Sequence, residues 1–290
     1  MEHDNYMKKI IYICYFLLGV LLILLIFCLN SFGDGILHVY FLDIGQGDAI
    51  LIKTPDSEYI LVDGGPNDKI LQELSSVMPF YERTIDVLVL THPHADHING
   101  LVEVIERYNV RQVVITGIHY GYAGYGKFLE LINENGIQVI FVDGSSDYKL
   151  NSVFFDFIFP MEGIQGERFE NINNSSVVFR LLYGNTSFFL SGDLEIEAES
   201  KLVESGLDLR ADVMKAGHHG SRTSTSESIL DKVLPEISVI SCGVDNPFDH
   251  PHAETIQHLQ KRGIKIFRTD LDGRVELRSD GKEIFTPQLS

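Results

Sequence analysis

The sequence predicts an α/β layered domain behind one apolar N-terminal helix, and three observations carry that reading. Short runs of Val, Ile, Leu and Phe bounded by Gly, Pro or Asp recur along the chain with helical patterns between them, as buried strands alternating with helices should. Twenty consecutive uncharged residues, Ile10 to Leu29, stand near the start. One strand–helix–strand plan also occurs twice, each time with an acid after the first strand and histidines after the second. At 290 residues, 44% of them hydrophobic, the chain is long enough for one large domain or two small ones.

The N-terminal helix comes first. Residues 10–29 match the roughly 20 apolar residues that span a bilayer's hydrocarbon core. Lys8 and Lys9 precede the run and the next Lys or Arg is Lys53, so the positive-inside bias puts the N-terminus in the cytoplasm. A cleaved signal peptide would have a shorter apolar run and a small-x-small exit, whereas this exit reads IFCLNSFGDG. Phe27 is a poor predecessor for a lipid-bearing Cys28. The expected organisation is a cytoplasmic N-terminus (1–9), a single-pass transmembrane anchor (10–29), a linker (30–35) and an extracytoplasmic domain (36–290).

Within that domain, strands are expected at 36–43, 49–54, 58–63, 86–91, 111–116, 137–142, 152–160, 175–184, 186–192, 211–217, 236–242, 264–267 and 274–279. Helices are expected at 97–108, 123–136, 195–206, 225–234 and 252–263. In the first of these, Ile98, Leu101, Val102 and Ile105 form one apolar face. The repeated plan sets ILVDGG and LVLTHPHADH against FLSGD and VMKAGHHGS. It separates Asp63 from His92 by 29 positions and Asp193 from His218 by 25. Placed face to face, the two halves would bring both acid-and-histidine edges to one rim.

Composition narrows the chemistry. A net charge of −18 argues against a broad basic face that grips nucleic acid, so a polyanion would have to be met at a local positive spot. Cys14 and Cys28 lie in the apolar segment, and Cys242 alone lies beyond it, which excludes a disulfide framework or a thiolate-rich metal site in the domain.

The densest cluster of metal-binding side chains is THPHADH, directly behind a strand. His92 and His94 alternate on the chain leaving that strand, so both rings can point one way. Asp96 and His97 follow as the chain turns into a helix and can face a second point nearby. Imidazole with carboxylate suits zinc, manganese or iron. Lys215, just before the second histidine turn, could neutralise a substrate phosphate or form a salt bridge near the rim. His219 is a candidate for supporting a ligand or contacting substrate. His250 and His252 lie at a helix start, where backbone N–H groups favour anions. His38, His119 and His258 have no motif around them and read as ordinary histidines. DIGQGD joins two strands and opens no helix, so it reads as a tight hairpin, with Asp43 and Asp48 near the rim.

The pattern H-x-H-x-D-H resembles the signature of the metallo-β-lactamase superfamily. FLDIGQGDAILI, ILVDGG, NNSSVVFRL, FLSGDLE, KAGHHGSRTSTSE and DHPHAETIQHL extend the likeness to the lactamase-like domain of ComEC-type competence proteins, across roughly residues 36 to 280. The resemblance implies a four-layer αββα sandwich with two divalent metal ions (Zn or Mn) at its rim. It makes His92 and His94 ligands of the first ion, Asp96, His97 and His218 ligands of the second, and Asp193 the bridging carboxylate. Asp63 would orient ligands or the bridging water, and His252 would contact phosphate or protonate the leaving group. One departure stands out: no histidine lies between Met161 and Gly192, where the superfamily has the first ion's third ligand. Asn173, Asn174 or Ser175 would supply a weak oxygen there, which favours manganese over zinc.

On this resemblance the protein is an outward-facing phosphodiesterase or nuclease in which a metal-bound hydroxide attacks DNA. A DNA-uptake channel is the partner the likeness implies, although this chain lacks the helices to form one. Two other readings remain. One is hydrolysis of another surface phosphodiester, such as a teichoic acid or a phosphocholine ester. The other is a non-catalytic envelope accessory that binds DNA or a partner.

Overall fold

The computed structural model describes residues 2–30, 33–144 and 147–286, and within the N-terminal helix the side chains of 6–22. That helix, α1, spans Glu2–Asn30 and contains the expected anchor. Residues 23–29 of the anchor lie outside those whose side chains are described. Among the described residues no helix is long and apolar enough to cross a membrane. Residues 31 and 32 of the expected linker, and the domain's end beyond 286, also lie outside the described residues.

The strands in chain order are β1 (Leu37–Phe41), β2 (Ile50–Lys53), β3 (Tyr59–Val62), β4 (Thr84–Val89), β5 (Asn109–Ile115), β6 (Gln138–Phe141), β7 (Tyr148–Leu150) and β8 (Val153–Phe159). Then follow β9 (Val178–Tyr183), β10 (Thr186–Leu190), β11 (Val213–Lys215), β12 (Ile237–Ile240), β13 (Lys265–Arg268), β14 (Val275–Ser279) and β15 (Ile284–Phe285). They form one eight-stranded sheet, ordered β15-β14-β1-β2-β3-β4-β5-β6, and one seven-stranded sheet, ordered β13-β12-β11-β10-β9-β8-β7. The helices after α1 are α2 (Lys69–Val77), α3 (Ala95–Arg107), α4 (Ala123–Glu134), α5 (Ile196–Glu204), α6 (Glu227–Val233), α7 (Ala253–Lys261) and the single turn α8 (Thr269–Asp272).

Strand alternation explains the layering. Ile60, Val62, Val87 and Val89 point into a core shared with Phe155, Phe179, Phe188 and Val213 of the other sheet. Their neighbours Tyr59, Leu61, Ile85 and Leu88 point the opposite way, onto Leu74 of α2, Leu101 of α3 and Phe128 of α4. The second sheet repeats this: Val178, Phe189, Met214 and Ile240 pack against Leu202 of α5, Leu230 of α6 and Leu259 of α7. Both faces of each sheet are covered, which is why the strands read as continuous apolar runs. The result is the expected helix–sheet–sheet–helix stack. Each fully buried Leu, Ile, Val or Phe contributes about 1.5–3 kcal/mol to it.

The internal repeat is a structural one. β3–α2–β4 and β10–α5–β11 are both parallel strand–helix–strand units, with Val62 opposite Val89 and Phe189 opposite Met214. Asp63 and His92 leave the ends of the first pair; Asp193 and His218 leave the ends of the second. The helix α2, whose Ile70 and Leu74 face inward, is the intervening element of the first unit.

Candidate metal centre

Two glycines let the first half of the site close up. A β-carbon on Gly100 of α3 would lie 1.8 Å from the carbonyl oxygen of Gly64, so only glycine allows the helix this near the turn after β3. Gly64 N–H donates to His97 O (2.7 Å) and Gly100 N–H to Gly65 O (3.0 Å), locking Asp63 beside His97.

The imidazoles are then oriented one by one. Asp63 Oδ1 accepts from Thr91 N–H (2.8 Å), and its Oδ2 accepts from Thr91 Oγ1 (2.7 Å) and faces His97 Nδ1 (2.8 Å). A carboxylate only accepts, so His97 carries a proton on Nδ1 and turns Nε2 toward Asp193. The Thr91 hydroxyl has given its proton to Asp63 and therefore accepts from His92 Nδ1 (3.1 Å), again leaving Nε2 for the site. His219 Nδ1 donates to the carbonyl of Ser241 (3.0 Å), and its buried Nε2 has no hydrogen-bond partner. Three rings thus present Nε2 with Nδ1 tied to the protein.

These atoms converge with two carboxylates. Asp193 Oδ2 lies 3.2 Å from His97 Nε2 and 3.2 Å from His219 Nε2, and Asp96 Oδ2 lies 3.4 Å from His219 Nε2. His92 Nε2 and His94 Nδ1 are 3.1 Å apart. Ligand atoms arranged tetrahedrally at metal–nitrogen distances of 2.0–2.1 Å are about 3.3 Å from each other, so these separations fit a shared cation. Among the described residues, Asp96, His97, Asp193 and His219 bring one ligand atom each within 4.8 Å of one another. The electrostatics agree. Burial opposes charge on His97 and His219, yet Asp193, with Asp63 and Asp96 at His97 and Asp48 at His219, holds both rings well above the ordinary histidine range. The carboxylates draw positive charge onto the two rings, and a divalent cation would supply that charge instead. His92 and His94 are pushed the other way, by burial first and by His97 next, which favours the neutral ring in both.

The second histidine turn is the strained part of the site. His218 (φ 47°) and His219 (φ 55°) are consecutive left-handed residues, a conformation costing roughly 1–2 kcal/mol each for residues with a β-carbon. The surrounding bonds hold it. Gly217 N–H donates to Thr225 Oγ1 (2.9 Å), while Glu199 of α5 accepts from the backbone of Thr225 (2.6 Å) and Ser226 (3.0 Å). This backbone turns His219 inward. His218, expected among the ligands, sits a quarter exposed with Nδ1 3.0 Å from Glu195 Oε1 and Nε2 3.9 Å from Asp193 Oδ2. His219, expected behind the ligands or on the substrate, is the ring that joins Asp96, His97 and Asp193.

Lys215 takes the second of its two readings, a salt bridge, and corrects the first, contact with a substrate phosphate. Its side chain is 1% exposed, ion-paired with Asp48 and with Asp193 Oδ1 (3.2 Å), and donates to Gly192 O (2.8 Å). It points between the sheets, beneath Asp193, and cannot reach a substrate phosphate; it positions the carboxylate. Asp48 is buried with it, while Asp43 pairs with Lys69 at the surface (3.1 Å). The three candidate oxygens separate cleanly. Ser175 Oγ donates to Ile172 O (2.7 Å) within its own turn, and Asn174 Oδ1 accepts from Glu195 N–H (3.1 Å), so both are engaged by backbone. Asn173 Oδ1 is buried with no partner, while its amide nitrogen donates to Glu195 Oε1 (3.0 Å) and lies 3.5 Å from His218 Nδ1. Asn173→Ala is expected to weaken metal binding about 10–100-fold, the scale of losing one supporting group. Metal content after equilibrium dialysis measures it; unchanged content and affinity would exclude Asn173 from the site.

His252 lies one ring further out. His250 stacks edge-on between His218 (5.5 Å) and His252 (4.9 Å). His252 Nδ1 accepts from Arg222 N–H (3.1 Å), which makes Nε2 the N–H donor of the neutral ring. Asp48, Thr91, Glu195 and Glu199 are the supporting residues that sequence reasoning left without these roles. Only Asp48 carried a signal, as the acid of the QGD hairpin.

Fold and site together define a metal-dependent hydrolase of one family: the metallo-beta-lactamase superfamily pattern matches residues 42–244, and the chain belongs to that superfamily. It is 30% identical over 268 residues to ComE operon protein 3 of Bacillus subtilis, covering 87% of this chain and 34% of that protein. It is 32% identical over 241 residues to Competence protein ComA of Neisseria gonorrhoeae, covering 81% and 31%. The chain therefore spans about a third of the length of these curated relatives. Two solved structures share the fold. CmlA, a diiron beta-hydroxylase from Streptomyces venezuelae, has a TM-score of 0.56 at 17% identity over 84% of this chain and 54% of that one. YhfI, a metallo-beta-lactamase fold protein from Bacillus subtilis, has a TM-score of 0.54 at 12% identity over 83% and 99%.

Proposed function

We propose that the chain is a two-metal phosphodiesterase acting on DNA, held at the outer face of a membrane by its N-terminal helix. One observation carries the enzymatic part: the two sheets deliver Asp96, His97, Asp193 and His219 to one point, where His97 Nε2 faces Asp193 and the buried His219 Nε2 has no hydrogen-bond partner. His92 and His94, with Asn173 and His218 near them, would hold a first ion; Asp96, His97 and His219 a second; Asp193 would serve both. Bound divalent ions, Mn or Zn, would supply Lewis acidity at phosphorus and an activated water. The chain's own contribution is orientation. Asp63 and Ser241 fix ring tautomers, Lys215 and Asp48 fix Asp193, and His252 Nε2–H offers a proton near the rim. The names of the competence relatives support DNA as the substrate and DNA uptake as the setting.

The membrane part rests on α1. Among its described side chains Tyr12 (72% exposed), Phe16 (71%) and Leu21 (62%) are apolar and open on opposite faces, which suits lipid better than water. With the positive-inside bias, the domain would be extracytoplasmic.

The test uses the full chain in detergent with Mn or Zn added. It is assayed on single-stranded DNA, double-stranded DNA and a generic phosphodiester, with His97→Ala as control. Metal-dependent DNA cleavage that fails in the variant is expected. The net charge of −18 favours a second reading, a less densely charged surface phosphodiester such as a teichoic acid or phosphocholine ester. Phosphodiester turnover without DNA cleavage would select it. No metal and no turnover would leave a binding accessory.

A further inference from the structure

A cleft of about 460 Å³ opens directly beside His94, lined among others by His119, Tyr120, Arg168, Phe169 and Glu170. Its two walls are the loop after β5 and the segment around 165–172. Backbone bonds join them, His119 N–H to Glu167 O (2.7 Å) and Gly166 N–H to Gly117 O (2.9 Å). Behind the cleft, Ile118, Ile164 and Ile172 form a small buried cluster on which Tyr120 and Phe169 pack, each leaving part of its ring accessible. The Tyr120 ring stands 5.9 Å from that of His94. Two aromatic rings are thus fixed by a core of their own next to the metal-binding edge.

Arg168 is the second element. Arg111 pairs with Asp86 (2.6 Å) and Arg262 with Asp231 (2.7 Å), as an acidic chain makes easy. Among the described residues, exposed Arg168 has no such partner. A cation left free at the mouth of a cleft, in a chain of −18, is available to an anionic ligand. Aromatic faces with a free guanidinium are what a single-stranded nucleotide needs: the rings stack on a base, and the guanidinium meets a phosphate.

We infer that this cleft is a nucleotide subsite, in which Tyr120 and Phe169 stack a base of single-stranded DNA and Arg168 binds a neighbouring phosphate. The inference rests on the DNA reading above and deepens it. A duplex keeps its bases stacked and could not fill the cleft, so the subsite selects single strands or frayed ends. Glu170 in the same wall is an acceptor for a base's exocyclic amino group.

The test is equilibrium binding, by fluorescence anisotropy, of the full chain in detergent with chelator present to prevent hydrolysis. The probes are a labelled ten-nucleotide oligodeoxyadenylate and its abasic counterpart. Wild type should prefer the base-bearing strand. Tyr120→Ala and Phe169→Ala should each weaken adenylate binding about tenfold to a hundredfold and leave abasic binding unchanged. Tyr120→Phe, which keeps the ring, should bind as wild type, separating stacking from misfolding. Arg168→Ala should weaken both probes and flatten the dependence of log affinity on log salt by about 0.7. Equal affinity of wild type for the two probes, or alanine variants that bind adenylate as wild type does, would overturn the subsite while leaving DNA cleavage standing. Failure of wild type to bind either probe would overturn the subsite and the DNA reading together.

Discussion

Asp193→Ala is expected to lower metal-dependent turnover of DNA or of a small phosphodiester on the order of 10³-fold, and to reduce the metal retained after dialysis. Asp193 Oδ2 is the oxygen that His97 Nε2 and His219 Nε2 both face at 3.2 Å, with His218 Nε2 at 3.9 Å. Among the described residues it is the carboxylate with three imidazole nitrogens within 4 Å. The metal-free variant should also show an altered pH dependence of stability. Burial raises the Asp193 carboxyl, but His219, His97 and Lys215 outweigh it and hold the group well below its ordinary range. A depressed carboxyl contributes stability above its unfolded value, about 3.9, and loses it as pH falls through the folded value. Wild type and variant should therefore differ in urea midpoint at neutral pH and converge in acid. Turnover within tenfold of wild type would remove Asp193 from the chemistry.

Lys215→Met should have the largest effect on the fold itself. The substitution keeps the length of the side chain and deletes its charge, leaving Asp48 and Asp193, each 2% exposed, with only the His97 and His219 rings as positive partners. Breaking a buried ion pair from one side costs about 3–5 kcal/mol, because the remaining charge stays desolvated. The metal-free variant should unfold at markedly lower urea. Adding Asp48→Asn should recover part of the loss by removing one stranded charge, and adding metal should recover another part by neutralising Asp193. An unfolding midpoint equal to that of wild type would show that the buried pair contributes nothing net.

Much of this was legible in the chain. The apolar runs marked both sheets because helices cover both of their outer faces, and THPHADH announced itself because so many ligand side chains follow one strand. The repeated acid–helix–histidine plan located the other half of the site, since both units are parallel strand pairs ending at the same edge. The differences between expectation and structure have local causes. His218 and His219 are adjacent, and ordinary alternation cannot decide which faces inward when both adopt left-handed backbone. Lys215 was readable in principle. It shares a strand face with Val213, which lies between the sheets, so its charge had to be buried. The stretch NINNSS could not be ranked from sequence, because what distinguishes Asn173 is an oxygen left without a donor after its neighbours have been satisfied.

The Glu199 clamp has a dynamic consequence. The same short helix, α5, carries Glu199 beneath the histidine turn and directly follows Glu195, which faces His218 and Asn173. Fraying of that helix would loosen the histidine turn and the asparagine together. These groups would let go together, in one local opening event, so the lifetime of a bound ion would depend on the opening rate of α5 as well as on its individual bonds.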